Sequence, residues 1–210
     1  MAPGGDLVGG DPVAAKAALR ARHLAARLAR PPAARAEAAA AVAAALLGGL
    51  GGAGTVAAHV PDETEPGHGR LPAALAGSGA RVLLPVVPAQ GRELAWAVAD
   101  GRLVPGRFGL LEPAGPRLGP ETIGTAEVVV VPALAVSRDG VRLGRGGGYY
   151  DRALAHARPD AVVVAVVFDD ELLDAVPGEA HDHRVTAVVT PSGGWEIIGT
   201  PHLPHGMELP

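Results

Sequence analysis

The run Arg142-Leu143-Gly144-Arg145-Gly146-Gly147-Gly148-Tyr149-Tyr150-Asp151 gathers residue types that can hold a phosphate. Glycines let backbone N–H groups close on an anion without interference from a Cβ. Arg142 and Arg145 add charge and planar hydrogen-bond donors. Asp151 offers a hard oxygen of the kind magnesium takes. An apolar run, 128–136, precedes the segment and a helical pattern, 152–157, follows it. A strand, a glycine turn and a helix start would leave free N–H groups and a positive dipole end at the turn. The combination points to an enzyme that uses a nucleotide.

Glycines alone would be equally consistent with a tight connection, and the chain has 30 of them. Counted from Gly144, the third glycine of G-x-G-x-x-G falls on Tyr149, and G-x-x-x-x-G-K-[ST] is absent. The two arginines, the aspartate and both tyrosines of the chain are what raise the segment above a turn. One tyrosine ring is expected to pack beneath the sheet and the other to line a pocket.

Other candidates lie far away in sequence. Lys16 and Arg20 are one helical turn apart and share a face. Spacing alone leaves open a solvated basic face or a clamp on phosphates. Further basic residues follow at Arg22, Arg27, Arg30 and Arg35, some of which a small anion could use. Glu65 lies in a loop after an expected strand. It is either an ordinary acidic loop residue or a carboxylate for a ligand's N–H groups. His181-Asp182-His183 invites a metal reading, but adjacent side chains rarely converge on one ion, so a histidine-rich zinc site is not expected. Asp182 alone could join Asp151 as a second carboxylate for a metal. Ser137 has no evident histidine and aspartate partners, so a serine triad is unsupported.

The elements that must position these residues alternate. Helices are expected over 13–29 and 33–47, the first opened by Asp11-Pro12 and closed by Pro31-Pro32. Leu19, Leu24 and Leu28 could form a buried stripe on the first. Strands are expected over 55–60, 81–87, 93–98, 127–136, 161–168 and 184–190. Short helices are expected over 71–76, 151–157 and 171–175, and extended loop over 102–119. Apolar strands alternating with helices predict an α/β fold, a single three-layer α/β/α sandwich with a mostly parallel central sheet. Ligands of such sheets sit beyond the carboxyl ends of strands, where the glycine turn is expected. The domain is placed at 11–198, between a flexible leader, 1–10, and a flexible tail, 199–210.

Composition narrows the class. Of 210 residues 48% are hydrophobic and 3% aromatic, so Ala, Val and Leu must fill the core. There is no cysteine, which removes disulfides, thiolate zinc sites and a cysteine nucleophile. A net charge of -4 gives no reason to expect nucleic-acid binding. Neither a signal peptide nor a membrane span is expected, which fits a cytoplasmic protein.

Taken together, several blocks resemble the 5-formyltetrahydrofolate cyclo-ligase family, also called 5,10-methenyltetrahydrofolate synthetases. Val131-Pro132-Ala133-Leu134-Ala135, Gly140 and the run from Arg142 to Asp151 are similar to its apolar strand, Pro-x-Leu turn and R-L-G-[KR]-G-x-G-Y-Y-D signature. Lys16-Ala17-Ala18-Leu19-Arg20 is similar to its K-x-x-L-R, and Phe108-Gly109 with Glu112-Pro113 to its F-G-x-x-E-P. Glu65-Pro66, Leu84-Pro85, Val176-Pro177, Asp182 and Val189-Thr190 follow the family's order.

The resemblance implies ATP-dependent cyclisation of 5-formyltetrahydrofolate to 5,10-methenyltetrahydrofolate, with release of ADP and phosphate. It implies that Lys16, Arg20, Arg142, Leu143, Gly144, Arg145, Gly146, Gly147, Gly148, Tyr149 and Tyr150 surround ATP. Val60 and Glu65 would face the folate, together with Arg145, Gly146, Gly147, Gly148 and Tyr149. Arg145, Lys16 and Tyr149 would act in catalysis, and Asp151 and Asp182 would hold magnesium. The partners are the two small molecules, the chain acting as a monomer without nucleic acid or membrane. The alternative is a non-catalytic nucleotide- or folate-binding module of the same fold. It draws on changed loops, namely His59, near a frequent aromatic of the family, and the 102–122 region, rich in glycine and proline; two further departures are Val136-Ser137, where Phe-Asp is frequent, and Thr186, which replaces a frequent Asp.

Overall fold

The computed structural model describes residues 11–178 and 182–199. The leader expected over 1–10, His181, and the tail from 200 onward lie outside them. Helix α1, Pro12–Ala29, starts where the Asp11 carboxylate accepts the Val13 N–H at 2.9 Å, with proline at a first-turn position that needs no donor. It ends at Arg30, which is extended before Pro31 as a residue preceding proline must be. Helix α2, Pro32–Gly49, follows directly.

The strands and remaining helices come in the order β1 Thr55–Ala57, α3 Leu71–Ala76, β2 Arg81–Val86, β3 Ala95–Val98, β4 Leu103–Pro105, β5 Leu111–Pro113, β6 Val128–Pro132, β7 Ala135–Ser137, β8 Arg142–Leu143, α4 Tyr149–Leu154, β9 Val162–Val166, β10 Leu172–Leu173, β11 Ala187–Thr190 and β12 Gly194–Ile197. The main sheet has the order β12-β11-β9-β6-β1-β2-β3. Strands β11, β9, β6, β1 and β2 run parallel, and β12 and β3 close the edges antiparallel.

Alternation along the strands feeds two apolar layers. Val56, Val128, Val130, Val164, Val166, Ala187 and Val189 meet Val42 and Leu46 of α2 and Leu71 and Leu75 of α3. Ala57, Val129, Val131, Val163, Ala165 and Val188 face the opposite layer, which includes Trp96, Ile123 and Ala153 and Leu154 of α4. This is the expected three-layer α/β/α arrangement with a mostly parallel sheet.

The expected elements differ from the observed ones at four points. The strand expected over 127–136 breaks: β6 stops at Pro132, which has no N–H for a further ladder bond, and β7 belongs to a second sheet with β10 and β8. The helix expected over 171–175 is instead a 3-10 turn, Asp169–Glu171, followed by β10, because Leu172 and Leu173 pair in parallel with Val136 and Ser137. The 102–119 segment contains a hairpin, with Leu103 opposite Pro113 and Val104 opposite Glu112. Strand β12 was not expected, since Gly194 and Trp195 break the apolar alternation that marks the other strands.

The expected leucine stripe of α1 is not the buried one. Leu28 is exposed, Leu24 borders a cavity, and the buried residues of the helix are His23 and Arg27. Leu19 packs on the second sheet against the cluster of Ala135, Val141, Leu143 and Val176. Helix α1 therefore lies along the second sheet, with its polar face turned inward.

Candidate functional site

Residues just beyond the carboxyl ends of β1, β2 and β6 open into a cavity of about 1090 Å³. His59, Val60 and Pro61 come from the first, Val87 from the second, and Ala133 and Leu134 from the third. Every site residue expected from the sequence borders this one cavity: Lys16 and Arg20, Val60 and Glu65, the glycine segment from Arg142 to Tyr150, Asp151 and Asp182. The glycine turn does not issue straight from the main sheet as expected. It hangs from β8, so the second sheet sets its position. The helix after it, α4, has only 6 residues, and its N-cap Gly148 is left-handed at φ 68. The turn's cations and backbone therefore matter more than a helix dipole.

Lys16, Arg20, His23 and Arg27 recur at helical spacing along one face of α1. Lys16 Nζ lies 3.5 Å from Asp182 Oδ2. Arg20 Nε donates to the Gly144 carbonyl at 2.9 Å, fastening α1 to the glycine turn. Arg27 does not serve as an exposed anion contact: it is buried, donating from Nε and Nη2 to Glu171 at 2.7 Å each and from Nη2 to the Ala133 carbonyl at 2.6 Å.

On the opposite wall, Glu65 is buried and its Oε2 accepts the Asp62 N–H at 3.1 Å. Arg145 reaches across from the glycine turn. Its Nη2 donates to Asp62 Oδ2 and lies 3.4 Å from Glu65 Oε1. Burial favours the neutral form of Asp62, but hydrogen bonds from Thr64 and the charges of Arg145 and Arg27 outweigh it and hold the carboxyl below its ordinary range. Burial pushes the His59 imidazole below its ordinary value, against the nearby Glu65, so the ring is neutral at pH 7. Burial likewise pushes the Tyr150 phenol well above its usual range, with Glu65 adding to the effect.

Both tyrosines pack against the core layer and both border the cavity, so the expected division of labour between them does not hold. Three buried polar atoms at the cavity have no protein hydrogen-bond partner: His59 Nδ1, Arg142 Nε and Tyr150 Oη. Buried polar groups are normally paired, so this wall is chemically suited to a polar ligand.

The two carboxylates expected to hold magnesium are on the same cavity but already engaged. Asp151 Oδ1 accepts from Arg142 Nη2 at 2.5 Å, and Asp182 pairs with Lys16. No cluster of three or more metal-ligating side chains exists among the described residues. Two carboxylates nonetheless fit magnesium, which is commonly held by one or two of them plus substrate phosphates.

Asp62 and Glu171 were not singled out by type or spacing, Arg27 was named only among basic residues open to a small anion, and Glu112 only within a resembling block. Glu112 is buried at the cavity, accepting the Val87 N–H at 3.0 Å. The polar repeat along α1 could have revealed Arg27. Nothing local reveals Asp62, because its partner is 83 positions away.

Comparison with known proteins bears on family and fold. The model of the 5-formyltetrahydrofolate cyclo-ligase family matches residues 12–191. A 5-formyltetrahydrofolate cyclo-ligase of Mycolicibacterium smegmatis is 48% identical over 184 residues, covering 85% of this chain and 95% of the relative. One from Escherichia coli K12 is 41% identical over 73 residues, 33% of this chain and 39% of the relative. Among solved structures, a 5,10-methenyltetrahydrofolate synthetase of Aquifex aeolicus has a TM-score of 0.70 at 25% identity, covering 92% of this chain and 96% of the other. One from Mycoplasma pneumoniae has a TM-score of 0.65 at 19% identity, covering 82% and 96%, and supports the fold.

Proposed function

From the premise that this chain belongs to the 5-formyltetrahydrofolate cyclo-ligase family and is a folate cyclo-ligase, we propose that it drives ring closure with ATP on the residues around the glycine turn. The observation that carries this reading is the single cavity. Its volume of about 1090 Å³ exceeds that of most one-ligand sites. It joins a cationic, glycine-rich wall to a wall built around a buried carboxylate.

The chemistry explains the need for ATP. The N-formyl oxygen of 5-formyltetrahydrofolate is a poor leaving group. Transfer of the γ-phosphoryl group to that oxygen gives ADP and an imidate-like phosphate. N10 then attacks the formyl carbon, its proton is lost, the carbon–oxygen bond to phosphate breaks, and 5,10-methenyltetrahydrofolate forms. Phosphoryl transfer of this kind asks for positioning and charge stabilisation more than for a covalent intermediate.

Arg145 of the glycine turn, Arg20 fastened to that turn, and Lys16 on the same cavity wall supply that charge. The backbone from Gly144 to Gly148 gives close approach, and Arg142 and Tyr149 and Tyr150 flank it. Glu65, with Val60 beside it, faces the folate and accepts pterin N–H groups. Holding N10 against the activated carbon contributes further rate by proximity. Asp151 and Asp182 would hold magnesium, which when bound neutralises charge on the phosphate oxygens.

The test is direct. Protein, ATP, magnesium and 5-formyltetrahydrofolate are mixed, and the absorbance of methenyltetrahydrofolate is followed. ATP-dependent growth of that absorbance supports the reading; folate binding without it would favour a non-catalytic module.

A further inference from the structure

Asp62 stands where the two walls of the cavity meet. Its Oδ1 accepts two hydrogen bonds from Thr64, from the backbone N–H at 2.8 Å and the hydroxyl at 2.7 Å. These fix the carboxylate so that Oδ2 faces Arg145, whose Nη2 donates to it. The same Nη2 lies 3.4 Å from Glu65 Oε1, and Glu65 Oε2 accepts the Asp62 N–H at 3.1 Å. The contacts close into a ring through Asp62, Glu65 and Arg145. Only one guanidinium nitrogen is spent in it, and a guanidinium carries five N–H donors. The Arg145 side chain is half exposed, at 50%, whereas those of Asp62 and Glu65 are 22% and 10% exposed, so the carboxylates are its anchor.

We infer that Asp62 is a positioning residue that ties Arg145 to Glu65 and thereby makes the nucleotide and the folate bind cooperatively. The inference rests on the reading of Arg145 as a phosphate contact and Glu65 as a pterin contact given above. Two carboxylates share one guanidinium. When N–H groups of a pterin engage Glu65, part of its charge is neutralised by the ligand, and more of the Arg145 charge is available to a phosphate. A phosphate on Arg145 in turn leaves Glu65 more available to the pterin. The coupling is reciprocal by thermodynamic necessity. Asp62 transmits it because it holds the guanidinium against Glu65 through either binding event.

The experiment is calorimetric titration of the full chain with a β,γ-imido analogue of ATP in magnesium buffer, with and without saturating 5-formyltetrahydrofolate. In the wild-type chain, folate is expected to tighten analogue binding by about fivefold or more, the lower end of typical coupling between sites. The reverse titration should give the same factor. Asp62→Asn keeps the shape and removes the charge, and its factor should fall toward one. Thr64→Val removes only the hydroxyl bond to Asp62 and should give an intermediate factor. It also decides the matter should Asp62→Asn lose its fold by thermal melting.

A wild-type factor of one overturns the inference, as does a wild-type factor in Asp62→Asn or in Thr64→Val. Arg145→Ala separates the two levels. Unchanged analogue affinity there removes the phosphate role of Arg145 itself. Weakened affinity there, with coupling intact in Asp62→Asn, removes the role of Asp62 alone.

Discussion

Arg27 and Glu171, 144 positions apart, form a two-pronged ion pair in which both side chains are about 1% exposed. Phe168 completes the arrangement by donating its N–H to Glu171 Oε2 at 2.9 Å, and the Arg27 guanidinium lies 5.7 Å from the centre of the Phe168 ring. The Ala133 carbonyl, just past β6, takes another Arg27 donor. This pair fixes α1 where the main sheet meets the second, between Ala133 after β6 and Glu171 before β10, and with it the face that carries Lys16 and Arg20.

Breaking it should therefore be costly. Arg27→Met leaves Glu171 buried without its cation, and a loss of about 3–5 kcal/mol is expected. Denaturant unfolding of the wild type and the variant measures it. A loss below 1 kcal/mol would show that the pair does not anchor the helix.

Arg145→Ala should lower turnover by about a hundredfold or more, through loss of a charge-stabilising contact. The rate of methenyltetrahydrofolate formation reads it. Arg145→Lys should recover only part of the rate, because an ammonium cannot serve Asp62, Glu65 and a phosphate in one plane. Near-wild-type turnover in the alanine variant would remove Arg145 from the chemistry.

The glycine turn should tolerate no side chains. A Cβ on Gly147 would lie 2.8 Å from the Tyr149 ring, so Gly147→Ala must displace that ring. Gly146 sits at φ +92, where Gly146→Ala is strained by about 1–2 kcal/mol even though Arg20 leaves it room. Both variants should lose kcat/KM with little change in overall fold by circular dichroism. Wild-type kinetics in both would show that the turn's conformation is incidental.

Acid should destabilise the protein through its buried histidines. His23 and His59 both have pKa values below the ordinary 6.5, for both chiefly because of burial. Below about 6.5 the unfolded chain takes up protons that the folded chain refuses, so stability falls as pH drops. For His59 the opposing influences are Glu65, a backbone hydrogen bond at Val130 and, least, Asp62, while Arg27 reinforces the burial. Denaturation midpoints at pH 7.5 and 5.5 measure the difference, and His59→Phe should shrink it. An unchanged difference in that variant would mean His59 takes no part.

Asp151→Asn should raise the magnesium concentration needed for half-maximal turnover. An unchanged magnesium titration excludes Asp151 as a ligand. A fall in turnover at saturating magnesium would register the second consequence, loosening of Arg142, whose Nη2 donates to Asp151.

What the sequence revealed depended on how local the signal was. The parallel strands were readable because Val128–Pro132 and Val162–Val166 are apolar without interruption, as strands buried on both faces must be. The glycine segment was readable because its chemistry is contiguous. The second sheet was not, since its strands are 2 or 3 residues long and are defined by partners rather than by pattern. The same holds for Asp62 and Glu171, acidic residues in acidic surroundings whose cations come from distant elements. Arg27, grouped by sequence with the basic residues a small anion could use, turns inward instead, because the buried Glu171 carboxylate satisfies its charge.

The cavity draws its walls from Lys16 near the beginning of the described chain and from Asp182 near its end. During synthesis, when chains emerge N-terminus first, α1 leaves the ribosome before Gly144, Glu171 and Asp182, the partners of Arg20, Arg27 and Lys16, have been made. On the function proposed above, a nascent fragment that ends before Asp182 would lack part of the site. Premature termination would then yield fragments without the complete site rather than partial enzymes, and assembly of the site would be a late event for the growing polypeptide.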